Sequence, residues 1–87
     1  TNLRASNSEL NELIIALKLR FFHFLSPEEQ KSQADQFSEI CETEISRMED
    51  LLVHHGAEDG HFGRWVKHEI QRLEHRLTWL KDFRERL

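Results

Sequence analysis

Three glycines and one proline are all the conformational punctuation in these 87 residues. That scarcity excludes a β-sandwich or barrel, which needs frequent Gly/Pro turns. No run of about 18 apolar residues occurs, so no membrane span is expected. The opening Thr1-Asn2-Leu3-Arg4 is polar and does not read as a secretory leader. A single cysteine, Cys41, cannot close an internal disulfide, which points to a reducing compartment and a cytoplasmic protein. A cationic excess is missing too: the net charge of −4 argues against nucleic-acid binding by these residues alone.

The chemistry-bearing patterns are equally sparse. There is no Gly-rich phosphate loop and no His-Glu-x-x-His pair. Ser6, Ser8, Ser32, Ser38 and Ser46 lie outside any nucleophile-elbow context. Cys41 falls in an apolar stripe with Glu39, Glu42 and Glu44 nearby in sequence, which suits an inert buried thiol. His61, His68 and His75 recur every seven residues, about 10.5 Å apart along a helix and too far apart for one tetrahedral ion. His54, His55 and His61, with Glu58 and Asp59, offer at most an adventitious ion site. The carboxylate-rich middle lacks the paired Glu-x-x-His helices of a di-iron bundle. No catalytic, metal or cofactor site is expected, and the chain does not read as an enzyme.

What is present is charge segregation and helical periodicity. Residues 1–25 carry three cations against two carboxylates, residues 26–59 two against ten, and residues 60–87 seven against four. Such blocks suit segments that lie side by side. Ser26-Pro27-Glu28-Glu29 is a strong helix start, with Ser26 as cap, Pro27 at the first helical position and Glu29 closing a capping box. An earlier cap is available at Asn7 or Ser8. Gly56 can end a helix, and Asp59 or Gly60 can begin the next.

An all-α domain of three helices follows, at about 8–25, 27–55 and 60–86. Leu10, Leu13, Ile14, Leu17, Phe21, Phe24 and Leu25 mark the first helix. Ala34, Phe37, Cys41, Ile45, Met48 and Leu52 mark the second, with Ile40 and Leu51 widening the stripe. Phe62, Val66, Ile70, Leu73, Leu77, Leu80, Phe83 and Leu87 mark the third. Trp65 and Trp79 lie on a neighbouring line.

A 29-residue helix is about 43 Å long, whereas a compact chain of this length has a radius of gyration of about 12 Å. The last two helices should therefore form a long antiparallel hairpin that the shorter first helix covers only in part. The uncovered apolar stripe is a patch soluble monomers avoid. A symmetric homodimer resolves it. Its expected interface is Leu13, Leu17, Phe21 and Phe22 on the first helix with Val66, Ile70, Leu73, Leu77 and Leu80 on the third. Leu77→Asp should then place an unpaired charge in the interface.

The order of these signals resembles a known family. Asn11-Glu12-Leu13-Ile14-Ile15-Ala16-Leu17-Lys18-Leu19-Arg20-Phe21-Phe22 is similar to the first helix of the C-terminal domain of PadR-family, AphA-like transcriptional regulators. Leu25-Ser26-Pro27-Glu28-Glu29 resembles the loop and second-helix start of that domain. The long acidic second helix, the short loop and Trp79-Leu80 in the third also fit, over about residues 10–87. The resemblance implies a dimerisation domain that holds two winged helices at a fixed spacing, so that DNA is bound only through a preceding N-terminal domain. A chain that opens on Thr1 reads as a piece of such a protein. The resemblance also suggests a pocket for a small aromatic ligand at Trp65 and Trp79. The alternative is a stand-alone helical-hairpin adaptor that docks on another protein.

Overall fold

A computed structural model describes residues 7–55 and 60–87. Three α-helices follow one another: α1 (Asn7–Arg20), α2 (Pro27–His55) and α3 (Gly60–Glu85), with a 3-10 turn at Phe22–Phe24 between the first two. No strand occurs among the described residues. The Gly56 cap, the Asp59 start and the histidine-loop cluster at His55, Glu58 and Asp59 lie outside the described residues or side chains.

The start of α2 follows the capping box. The Glu29 backbone N–H donates to Ser26 Oγ (3.2 Å), and the Ser26 N–H donates to Glu29 Oε1 (2.9 Å). That contact from the Ser26 backbone, helped by the Ser26 hydroxyl, holds the Glu29 carboxyl below the usual carboxylate range. Gln30 completes the corner by donating to the carbonyls of Phe22 (3.0 Å) and Leu25 (3.2 Å). These two acceptors belong to the segment where α1 has stopped, and Gln30 satisfies them from the next helix.

The first helix ends at Arg20 rather than near residue 25. Proline at 27 disfavours helical geometry just before it, and Leu25 is already extended (φ −87°, ψ 152°). The 3-10 turn also sorts the phenylalanines. With about three residues per turn, positions three apart eclipse. Phe21 and Phe24 accordingly stack on the outside at 6.3 Å, while Phe22 turns inward against Phe37 (6.2 Å) and Phe83 (5.4 Å).

α2 and α3 pack against each other along their length and carry most of the core. The molecule is 48 × 31 × 14 Å with a radius of gyration of 15.1 Å. It is therefore longer and thinner than a compact chain of this size. Ala34, Phe37 and Cys41 of α2 and Val66, Leu73 and Leu80 of α3 are all essentially inaccessible, and Phe37, Cys41, Leu73 and Leu80 share one cluster. The α3 positions repeat every seven residues, the spacing of a helical seam. Across the same hairpin Arg84 pairs with Asp35 (2.9 Å) and Lys81 with Glu42 (3.5 Å), so basic α3 lies on acidic α2. These pairs are exposed and add little stability. α1 lies on the hairpin through Ile15, which is buried, and Leu19, which is half-buried.

Candidate interaction surface and ligand groove

The expected interface residues separate into three groups. Phe22, Val66, Leu73 and Leu80 are buried in the chain's own core. Ile70 and Leu77 are half-buried, Leu77 against that core. Leu13, Leu17 and Phe21 are 56%, 50% and 58% exposed. The difference follows from covering: the hairpin seam of α3 already has α2 as its partner, whereas the outer face of α1 has none among the described residues.

Leu10 and Ile14 extend the exposed α1 group into a row at steps of three and four. It runs the length of the helix and ends on the Phe21–Phe24 stack. The inner line of α1 is Ile15 and Leu19, so α1 is apolar on two opposite sides. Its charges are polarised, with Glu9 in the first turn and Lys18 and Arg20 in the last. Both ends suit the helix dipole.

Glu12 fixes α1 to α3. Its carboxylate accepts from Arg72, which also donates to Glu69 (2.9 Å), and lies 3.9 Å from Arg76. Hydrogen bonds to Glu12, then Glu69, hold the Arg72 guanidinium above its ordinary pKa. On the other flank, Lys18 Nζ donates to Gln33 Oε1 of α2 (3.3 Å).

The α1–α3 cluster lines part of a groove of about 350 Å³. Ile15, Ala16, Leu19, Leu80, Trp79 and His75 line it with that cluster. Trp79 is half-exposed and stacks on Phe83 at 5.2 Å with an 8° interplanar angle. Trp65 does not line this groove; it lies beside Phe62 at 6.4 Å. Fourteen residues of helix separate the two indoles by about 21 Å, so within one chain they do not share a pocket.

Cys41 is buried and its thiol donates to the Leu73 carbonyl (3.2 Å). Burial, then the Glu44 carboxylate, pushes this thiol up from its ordinary value. That is the opposite of nucleophile activation. Among the described residues no three His, Cys, Asp or Glu side chains converge as a metal site.

Sequence reasoning missed Glu12, Gln30 and Glu44. For Glu44 the signal was present: residues 34, 37, 41, 44 and 48 step by three and four, and Glu44 is the charged member of that inward line. It is only 6% exposed. Glu12 and Gln30 carried no local signal, because their partners depend on how the helices cross.

The chain belongs to a family of transcriptional regulators. The family model described as "Putative AphA-like transcriptional regulator" matches residues 1–84, nearly the whole chain. A comparison with curated proteins finds no match. No described helix is long and apolar enough to cross a membrane.

Proposed function

We propose that this chain is the dimerisation region of a cytoplasmic AphA-like regulator, in which two copies pair through α1. The pair would hold two N-terminal winged-helix domains, carried by the rest of the protein, at the separation of two operator half-sites. The observation that carries the reading is the outer row of α1. Leu10, Leu13, Ile14, Leu17 and Phe21 stand exposed on a helix whose opposite side is already buried. A row of this kind on a soluble chain marks an interaction surface, and regulators that read paired half-sites are two-fold dimers. The distribution of buried residues favours α1 over α3 as the pairing element, since Val66, Leu73 and Leu80 have no surface left to offer.

Light scattering coupled to gel filtration tests it. The wild-type chain should run at twice 10.5 kDa at micromolar concentration. Leu13→Glu/Leu17→Glu should run as a folded monomer of unchanged helicity. A wild-type monomer at that concentration overturns the reading.

The groove beside Trp79 supports a second role as a site for a small planar ligand. A mostly apolar lining and an exposed indole suit a flat molecule. Such a ligand should quench the Trp79 fluorescence, and the response should vanish in Trp79→Phe but persist in Trp65→Phe.

A further inference from the structure

A second, more polar groove of about 420 Å³ lies between α1 and α2. Asn11 lines it from α1; Glu39, Ile40, Thr43, Glu44 and Arg47 line it from α2. Glu44 is the unusual member. Its Oε2 is buried and has no hydrogen-bond partner among the described residues. No cation forms an ion pair with it among those residues, Arg47 in the same groove included. Burying a carboxylate without a partner is costly, and native proteins pair such groups. The position is also one where an apolar side chain would continue the line of Ala34, Phe37 and Cys41.

The groove flanks the exposed α1 row, and the charge polarity of α1 indicates how a second copy would lie on it. Parallel pairing sets acidic first turns together and basic last turns together. Antiparallel pairing sets Glu9 of one helix near Arg20 of the other, and is favoured. The midpoint of Leu10, Leu13, Ile14, Leu17 and Phe21 falls at Ile15. A two-fold axis there brings position 18 of the second copy opposite position 12 of the first, beside Asn11.

The flank agrees as well as the register. Lys18 reaches α2 through Gln33, and Asn11 meets α2 at the groove, so both occupy the α2-facing side of α1. A two-fold axis perpendicular to an antiparallel pair keeps these flanks on the same side. Lys18 of the second copy therefore descends on the groove of the first. Its contact within one chain is a solvent-exposed bond to a neutral amide, which a buried carboxylate outcompetes.

We infer that Glu44 is half of an intersubunit ion pair, completed in an antiparallel α1–α1 dimer by Lys18 of the second copy. The inference rests on the dimer reading above and specifies its orientation, register and polar contact. Two-fold symmetry forms the pair twice per dimer.

The test is a mutant cycle read by sedimentation equilibrium on the 87-residue chain, with circular dichroism to confirm helicity. Lys18→Gln strands Glu44 in the interface and should raise the dimer dissociation constant at least about 30-fold. Adding Glu44→Gln removes the stranded charge and should recover most of that loss. Arg47→Gln should leave the constant within about threefold of wild type, as expected for a side chain outside the pair. A dimer unaffected by Lys18→Gln, or a double variant weaker than Lys18→Gln alone, overturns the pair and leaves the dimer reading standing. An Arg47→Gln loss that matches Lys18→Gln assigns Glu44 to its own helix and overturns it too. A monomeric wild type removes both readings.

Discussion

Phe21 and Phe22 are neighbours in sequence whose truncation should have opposite consequences. Phe22 is 7% exposed, packed on Phe37 and Phe83. Replacing a buried phenylalanine with alanine costs about 3–5 kcal/mol, from lost transfer energy and the cavity left behind. A chain of 87 residues has a total stability of about 4–13 kcal/mol at the usual 0.05–0.15 per residue. Phe22→Ala should thus consume a large share of it and lower Tm by tens of degrees, at about 4–8 °C per kcal/mol. Phe21 touches Phe24 on the outside and is more than half exposed. Phe21→Ala should change monomer stability by about 0.5 kcal/mol or less, while weakening self-association. Urea unfolding followed by circular dichroism separates the two. Measured well below the dimer dissociation constant, Phe21→Ala should overlay wild type and Phe22→Ala should be shifted strongly. Measured well above it, Phe21→Ala should fall behind wild type. Equal losses for both variants at low concentration would refute the inside–outside assignment of the 3-10 turn.

Ser26→Ala removes one arm of the capping box and should cost about 1 kcal/mol in chemical denaturation. The other arm is pH-dependent. The Glu29 pKa is lower in the folded chain than its ordinary 4.5, so its stabilisation is present above that value and lost as pH falls through the lowered one. The stability gap between wild type and Glu29→Ala should accordingly close under acid conditions, and a gap independent of pH would exclude the assignment. The Cys41 thiol should react with a maleimide at pH 8 only slowly in the native chain and rapidly in denaturant; fast native labelling would place it outside the core. Glu12→Gln cuts the tie from α1 to Arg72 and Arg76. With the arginines a third exposed, the loss should be about 0.5–1 kcal/mol. Hydrogen exchange should show it in α1 amides rather than in the hairpin.

How much was legible in the sequence depended on whether the signal was local. The start of α2 was, because Ser26, Pro27 and Glu29 act within one turn, and the helix begins at the proline as expected. Helix type and the hairpin were legible from apolar spacing, since α2 and α3 are long enough for the stripe to repeat many times. The end of α1 was not. Leucines and phenylalanines continue to residue 25; Pro27 restricts only the residue just before it, and the inward turn of Phe22 against two later helices breaks the pattern sooner. Nor does periodicity distinguish an apolar face that a neighbour in the same chain covers from one left open. Val66, Leu73 and Leu80 read like Leu13 and Leu17, yet α2 covers the first three and nothing among the described residues covers the others.

The position of α1 ties these points together. Fourteen residues are about the lower limit at which an isolated helix holds together in water, so α1 draws its stability from what it packs on. The hairpin supplies one side through Ile15, Leu19 and the Glu12–Arg72 tie. Among the described residues the outer row has no such support, and α2, the element beside it, carries Glu44, whose buried Oε2 has no hydrogen-bond partner among them. Packing a second α1 on that row would bury apolar surface that the 14 Å thickness of the molecule leaves open. It would also bring a cation to the one buried carboxylate oxygen left without a partner among the described residues. The uncovered apolar row of α1 and the unpartnered Glu44 Oε2 of α2 lie beside each other. In the proposed dimer a single antiparallel partner would relieve both, whereas an apolar ligand or a hairpin-docking protein would account for only one.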